Sequence, residues 1–296
     1  MSKIKLILGT MQFGERLFEK EAKDMIETFS EYGYSELDTA YVYNEGESER
    51  IIGTVLQNSS HSFGIATKVN PRITGRLDKE AVLSQFNESL QRMKVEHVDI
   101  LYLHFPDPNT PVESALEACA QLHEVGKFTE LGLSNFPAWL VSEVYNICKS
   151  NEWVLPSVYE GVYNPLSRHA ERELNKALNY YGMRFYGYNP LAGGLMTDKY
   201  NDKKIKEGRF INRPNYQERY WHDSYFDAID EIKAVCNNHE INITEATYRW
   251  LAYHSMLDTD RGDGIIIGAS SVEQLEQNIS YVNKGKLPED IVNVIE

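Results

Sequence analysis

The chain has 296 residues, 42% hydrophobic and 25% charged, which is ordinary globular composition with enough apolar material for a substantial core, and excludes a disordered or fibrous chain. Its 30 Lys plus Arg against 44 Asp plus Glu leave a net charge of −14, a surplus that repels nucleic acid and acidic membrane surfaces but still allows local binding of a small anion. Three widely spaced cysteines, Cys119, Cys148 and Cys236, argue against a disulfide framework and a structural zinc site, so no metal is expected; without a signal-peptide core or an apolar run near the ~18 residues of a membrane span, a soluble cytoplasmic protein is expected.

From the N-terminus onward, short apolar runs alternate with turns and amphipathic stretches. The candidate strands are Lys5 to Leu8, Ser35 to Asp38, Gly64 to Lys68, Val98 to His104, Leu131 to Ser134, Val158 to Glu160, Arg184 to Tyr188 and Gly264 to Gly268. Several are apolar on consecutive residues, the pattern of parallel strands covered on both faces. Between them, Val82, Phe86, Leu90 and Met93 fall on one helical face, as do Val141, Val144, Tyr145 and Cys148, so these side chains are read as core. No Pro/Gly/Ser-rich linker divides the pattern, and residues 1–296 read as one α/β domain. The alternation fits a closed (β/α)8 TIM barrel or, over part of the chain, an open doubly wound sheet. Gly9, after the first strand, is followed by TMQFG rather than the G-x-G-x-x-G spacing of a dinucleotide fold, which favours the barrel.

In a barrel, chemistry gathers at the C-terminal ends of the strands. Four ends carry polar residues: Asp38 followed by TAYVY, Lys68 closing IATK, His104 closing DILYLH, and Ser134-Asn135 closing LGLSN. Tyr43, five residues after Asp38, either returns a phenol over the mouth beside the carboxylate or is a half-buried aromatic next to a turn cap. Lys68 ends an inward-facing apolar strand, where a lysine is rarely buried alone, and Asp38 on the adjacent strand is its expected partner. A retained cation beside the phenol is expected to lower the pKa of Tyr43 and suit it to exchange a proton near neutral pH. The ring of His104, ahead of FPDP, is expected to project over the mouth, where an imidazole N–H can hold a carbonyl oxygen. A lyase forming a Schiff base on Lys68 is the competing chemistry, against which Asp38 and Tyr43 speak.

The segments LDTAYVYNEGESERIIG, TKVNP, YLHFPDPNTPVE, GKFTELGLSNF and NPLAGGLMTDKY resemble the aldo-keto reductase superfamily along nearly the whole chain. LHFPDPNTPVESALEACAQLHEVGKFTELGLSN, LPSVYEGVYN, RFYGYNPLAGGL and GASSVEQLEQN are most similar to its aflatoxin aldehyde reductase group. The resemblance implies NADPH-dependent reduction of aldehydes or ketones to alcohols, with Asp38, Tyr43, Lys68 and His104 as catalytic residues. Tyr43 gives the proton, Asp38 and Lys68 tune it, and His104 orients the substrate oxygen.

It also implies contacts to the nicotinamide from Ser134, Asn135 and residue 160. There the related reductases carry glutamine in a Y-Q-G motif, whereas this chain reads Tyr159-Glu160-Gly161. A carboxylate accepts but does not donate hydrogen bonds unless protonated, and it favours the positively charged oxidised nicotinamide. The pyrophosphate is expected along Asn189, Leu191, Gly193 and Leu195 in NPLAGGL. Lys199, Lys203, Lys204, Lys206, Arg209, Arg213 and Arg219 follow as a basic island, a long loop closing on the phosphates in which most of the lysines are read as solvated surface. Ser271 with Gln274 reads as a capping box, and the resemblance places the adenosine 2′-phosphate near Ser270, Ser271, Gln274, Gln277 and Asn278, although many superfamily members carry arginine near position 274.

Tyr216 and Arg219 match a Y-x-x-R pattern that faces the substrate in the resembled group, and an arginine there suits carboxylate-bearing aldehydes. Met11 and Trp221 are each either an apolar wall of the pocket or plain packing. The expected partner is a small carbonyl compound, with neither nucleic acid nor membrane, and the resembled group often forms homodimers. The alternative within the same resemblance is a regulatory barrel without significant turnover, like channel-associated relatives that bind the same cofactor.

Overall fold

Eight parallel strands close on themselves in sequence order in the computed structural model, which describes residues 4–201, 203–205, 209–211 and 213–296. They are β1 (Lys5–Gly9), β2 (Glu36–Asp38), β3 (Gly64–Val69), β4 (Val98–Leu103), β5 (Phe128–Ser134), β6 (Pro156–Val162), β7 (Arg184–Tyr188) and β8 (Gly264–Ile267). β8 pairs back onto β1, with Ile265 against Leu6 and Ile267 against Leu8, so the sheet is the closed (β/α)8 barrel expected from the alternation. β5 and β6 begin before their apolar runs, at Phe128 and Pro156, because backbone pairing continues where the side chains no longer announce it. His104 falls one residue past β4, although its N–H still donates to Val69 O at 3.0 Å.

Continuous apolar runs arise because each strand is covered on both faces. Along β4, Ile100 and Tyr102 enter the barrel interior with Ile7, Ala66, Val158, Tyr186 and Ile266, while Leu101 and Leu103 join the larger core between strands and helices. The Tyr102 ring occupies the space a side chain at 132 would need: a Cβ on Gly132 would stand 2.3 Å from Tyr102 Cδ1. The N-terminal end of the barrel carries ion pairs, Lys5 with Glu36 and Arg184 with Glu130.

The predicted helical stripes hold. Val82, Phe86, Leu90 and Met93 are buried on the helix Lys79–Met93, whose N-cap Asp78 accepts from Ala81 N at 3.0 Å. Val141, Val144 and Cys148 are buried on the helix Ala138–Ser150, and Tyr145 stacks on Tyr181 with ring centroids 4.2 Å apart. All three cysteines are buried, and burial pushes the Cys148 thiol up to about 12. Among the described residues, no helix is long and apolar enough to cross a membrane, and no cluster of His, Cys, Asp or Glu could hold a metal ion.

The helix Glu47–Gln57 packs against the helix Lys79–Met93 behind β2 and β3, and Gly53 makes this close approach possible. A Cβ there would stand 2.6 Å from Met93 O and 2.8 Å from Arg92 O. Beside it the fully buried Glu49 pairs with Arg92 at 3.1 Å and accepts from Thr67 Oγ1 at 2.7 Å, tying the helix pair to β3. Because the clash is with backbone, Gly53→Ala is expected to destabilise the protein by ~1–3 kcal/mol in urea unfolding; a loss below ~0.5 kcal/mol would show that the helices separate freely.

Candidate active site

Two adjacent strands bring opposite charges together. Asp38 ends β2, and Lys68 on β3 has no exposed surface. The Lys68 ammonium donates to both Asp38 oxygens, at 2.6 and 2.5 Å, and to Thr39 O at 2.8 Å, so all three of its protons are used. Burial alone would lower the Lys68 pKa, but Asp38 and Glu160 outweigh it and hold it above its ordinary value. Burial raises Asp38 in turn, against the pull of Lys68.

The turn after β2 carries Tyr43 back over this pair. Asn44, Glu45 and Gly46 take left-handed backbone, with φ of 49°, 57° and 86°. Asn44 Nδ2 donates to Met11 O and Phe13 O at 2.9 and 2.7 Å, pinning the turn to the segment after β1. The Tyr43 ring centroid then lies 5.5 Å from Lys68 Nζ, and the ring meets that of His104 edge-on at 6.1 Å. The expected fall in the Tyr43 pKa is not found. Burial raises it, and the counteracting pull of Lys68 is offset by Asp38 and Glu160, because a lysine paired with a carboxylate offers the phenol little net positive charge. Tyr43 therefore rests as a protonated phenol.

His104 is neutral at ordinary pH, its pKa pushed well down by burial and then by Lys68 and Arg72. Its tautomer follows from Asn70, which the sequence reading passed over. Asn70 Oδ1 accepts from Arg72 N at 2.9 Å, capping the short helix Pro71–Thr74, and this leaves the amide nitrogen facing His104 Nδ1 at 3.1 Å. Nδ1 must accept, so the ring proton sits on Nε2. The signal available was the Asn-Pro pair directly after β3, a helix-start pattern that said nothing of the histidine.

Glu160 on β6 comes within 3.2 Å of Lys68 Nζ through Oε2, without hydrogen-bond geometry. Burial first, and the neighbouring Asp38 second, push its carboxyl up to about 8.

A cavity of about 510 Å³ is lined by Asp38, Tyr43, His104, Asn135 and Glu160. From later segments it takes Asn189, Leu191, Gly193, Arg209, Tyr216, Arg219, Ser270, Gln274, Gln277 and Asn278. Four predicted residues stand behind this lining. Lys68 is covered by Asp38, Ser134 is buried and accepts from Asn135 Nδ2, Leu195 is core, and Ser271 caps the helix Val272–Val282. The capping box is only half formed: Ser271 Oγ accepts from Gln274 N, but Gln274 Oε1 accepts from the N–H and hydroxyl of Ser270 instead of reaching back to Ser271 N. Met11 lines the cavity; Trp221 does not, because it packs into Phe210, Tyr200 and Phe226.

Of the basic island, Lys199, Arg209 and Arg219 reach the cavity, Lys203 turns to Asp227 and Asp230, and Lys206 lies outside the described residues. Arg213 pairs with Glu15 at 2.6 Å, tying the segment after β7 to the loop after β1. Arg16 and Arg72 also line the cavity, the latter 3.9 Å above the Phe105 ring, and so does Tyr188, which donates to Asn135 Oδ1 at 2.7 Å; no sequence motif marked them. The cavity is thus locally cationic in a chain of net charge −14. The left-handed Asn189, Ala192, Gly193 and Gly194 form a tight loop at the cavity, in which the Ala192 and Gly194 N–H groups donate to Asn189 O and Leu191 O, and a helix start follows at Ser271. A long anionic ligand such as a dinucleotide fits this donor set.

The aldo/keto reductase family matches residues 5–296. The chain is 44% identical over 300 residues to the rat (Rattus norvegicus) protein named aflatoxin B1 aldehyde reductase member 2, covering 97% of this chain and 82% of that one. It is 42% identical over 301 residues to human (Homo sapiens) aldo-keto reductase family 7 member A3, covering 97% and 91%.

Removing the Lys68 charge strands the buried Asp38 carboxylate beside Glu160. Lys68→Met is expected to destabilise the protein by about 3–5 kcal/mol at pH 7, with Lys68→Met/Asp38→Asn recovering much of it. Since both acids have pKa values raised above those of the unfolded chain, the deficit should shrink as pH falls through ~4 and below, where the unfolded carboxyls take up protons as well. Urea unfolding across this pH range checks it, and a single variant as stable as the parent refutes the pairing.

Proposed function

The chain belongs to the aldo/keto reductase family and is a nicotinamide-dependent oxidoreductase, and on that premise we propose that it reduces aldehydes or ketones to alcohols with NADPH, Tyr43 giving the proton. The observation that carries this reading is the meeting of Tyr43, His104 and the buried Asp38–Lys68 pair at one cavity. In this reading the whole chain acts as one barrel domain, in the cytoplasm, on a small carbonyl compound.

The His104 Nε2–H and the Tyr43 hydroxyl are the two donors available to a carbonyl oxygen, and they are preorganised. A phenol of high resting pKa keeps its proton until negative charge builds on that oxygen, and Lys68 stabilises the phenolate left behind. When bound, the dihydronicotinamide supplies hydride. Asn135 and Glu160 would hold the nicotinamide, with Ser134 behind them. The Asn189, Leu191, Gly193 and Leu195 segment with Arg209 would hold the pyrophosphate. Ser270, Ser271, Gln274, Gln277 and Asn278 would hold the adenosine phosphate, which would take over the Ser270 donors now given to Gln274 Oε1. Tyr216 and Arg219, with His104, face the substrate, and the arginines around the cavity favour aldehydes bearing a carboxylate.

Tyr43→Phe is expected to lower kcat by ~10²–10⁴-fold while NADPH affinity, read by fluorescence quenching, stays nearly constant. Unchanged turnover would remove Tyr43 from the mechanism. Asn70→Leu frees His104 to hold its proton on the wrong nitrogen and is expected to lower kcat/KM by ~10–100-fold, with no further loss when added to His104→Ala. Additive losses would mean that Asn70 does not act through the histidine.

A further inference from the structure

Glu160 adds a second carboxylate where the buried cation already has one. The three Lys68 protons point to Asp38 Oδ1, Asp38 Oδ2 and Thr39 O, and Glu160 Oε2, 3.2 Å away, is a buried oxygen without a hydrogen-bond partner among the described residues. Fully ionised, Asp38, Glu160 and Lys68 would hold one net negative charge among nearly fully buried side chains, which low dielectric disfavours. Asp38 takes two of the ammonium protons, so the extra proton belongs on Glu160, whose carboxyl burial and Asp38 push up to about 8. The groups facing it from neighbouring elements are Asp38 of β2, Lys68 of β3, Tyr102 of β4, Tyr186 and Tyr188 of β7, and Tyr43 from the turn after β2; β5 offers Ser134 in register. Each of these phenols has a raised pKa and stays neutral, which leaves Lys68 as the cation.

Resting on the reduction proposed above, we propose that Glu160 is its internal proton source, replacing through Lys68 the proton that Tyr43 delivers and remaining as a carboxylate beside the oxidised nicotinamide. The step balances. As hydride brings two electrons to the carbonyl carbon, the C=O π pair moves to oxygen, which takes the Tyr43 proton. The Tyr43 phenolate takes a proton from Lys68 Nζ, and the resulting amine takes one from Glu160. The chain is neither oxidised nor reduced. The buried cluster passes from neutral to one negative charge while the nicotinamide passes from neutral to one positive charge, so the two new charges compensate each other. Solvent returns the proton after product and oxidised cofactor leave. A glutamine at this position cannot supply it.

The test is proton release on binding NADP⁺ and NADPH, measured by calorimetry in buffers of different ionisation enthalpy, on the wild type and Glu160→Gln. Between about pH 7 and 8, where the 2′-phosphate of either cofactor is already ionised, the wild type should release up to roughly one proton with NADP⁺ and none with NADPH, and its NADP⁺ dissociation constant should fall by up to roughly tenfold per unit as pH rises toward 8. Glu160→Gln should bind NADP⁺ without proton release or pH dependence. Equal release by both proteins, or none by the wild type, overturns the inference while leaving the reductase reading intact, provided wild-type carbonyl turnover is measured alongside. Absence of both cofactor binding and turnover overturns the two together. Should Glu160→Gln not fold, the infrared difference spectrum of the wild type decides: NADP⁺ should remove a protonated-carboxyl C=O band, and its persistence sinks the idea.

Discussion

A lysine with no exposed surface forces the arrangement around it. The ammonium of Lys68 would be prohibitively expensive to bury alone, so its partners must be supplied at fixed distances. Asp38 and the Thr39 carbonyl supply them from β2, which requires β2 and β3 to pair in the register observed, Asp38 against Ala66. That register is backed by Glu49, Thr67 and Arg92, a second buried polar set on the outer side of the same two strands. The floor of the cavity is therefore rigid for electrostatic reasons, and the residues above it are placed relative to a fixed charge pair.

The same pair determines what its neighbours can be. Because burial raises the Tyr43 pKa and Asp38 offsets the pull of the lysine charge, Tyr43 keeps its proton, and burial keeps His104 neutral. Both present a hydrogen-bond donor and neither presents a charge, which is the combination that polarises a carbonyl without ionising before it reacts. The long-range field comes instead from Arg16, Arg72, Arg209 and Arg219 around the cavity, which set a local positive potential against the acidic surface. Neutral donors at the floor and cations at the rim are thus separated by depth.

Loops complete the site where the strands stop. The left-handed turn at Asn44–Gly46 is held by hydrogen bonds to the segment after β1, and the segment after β7 is tied to that same region by Arg213 and Glu15. Phe210, Tyr216 and Trp221 anchor the latter by aromatic packing. Trp221 is packing rather than a cavity wall, a choice that its sequence neighbours leave open and that the aromatic cluster of Tyr200 and Phe210 around it decides.

By itself the sequence carried the barrel and the helical core faces, because apolar periodicity is a local pattern, and it marked Asp38, Lys68 and His104 as polar residues at strand ends, while Tyr43 was singled out with them through the family resemblance. It also carried Glu160, as a departure from the residue expected there. Tertiary structure alone decided the rest: the protonated resting state of Tyr43, the tautomer of His104 through Asn70, the withdrawal of Ser134 and Leu195 behind the cavity wall, and the gathering of Arg16 and Arg72 beside Arg209 and Arg219. These depend on the sum of burial and charge from side chains far apart in the chain, and low-dielectric electrostatics has no sequence period from which it could be read.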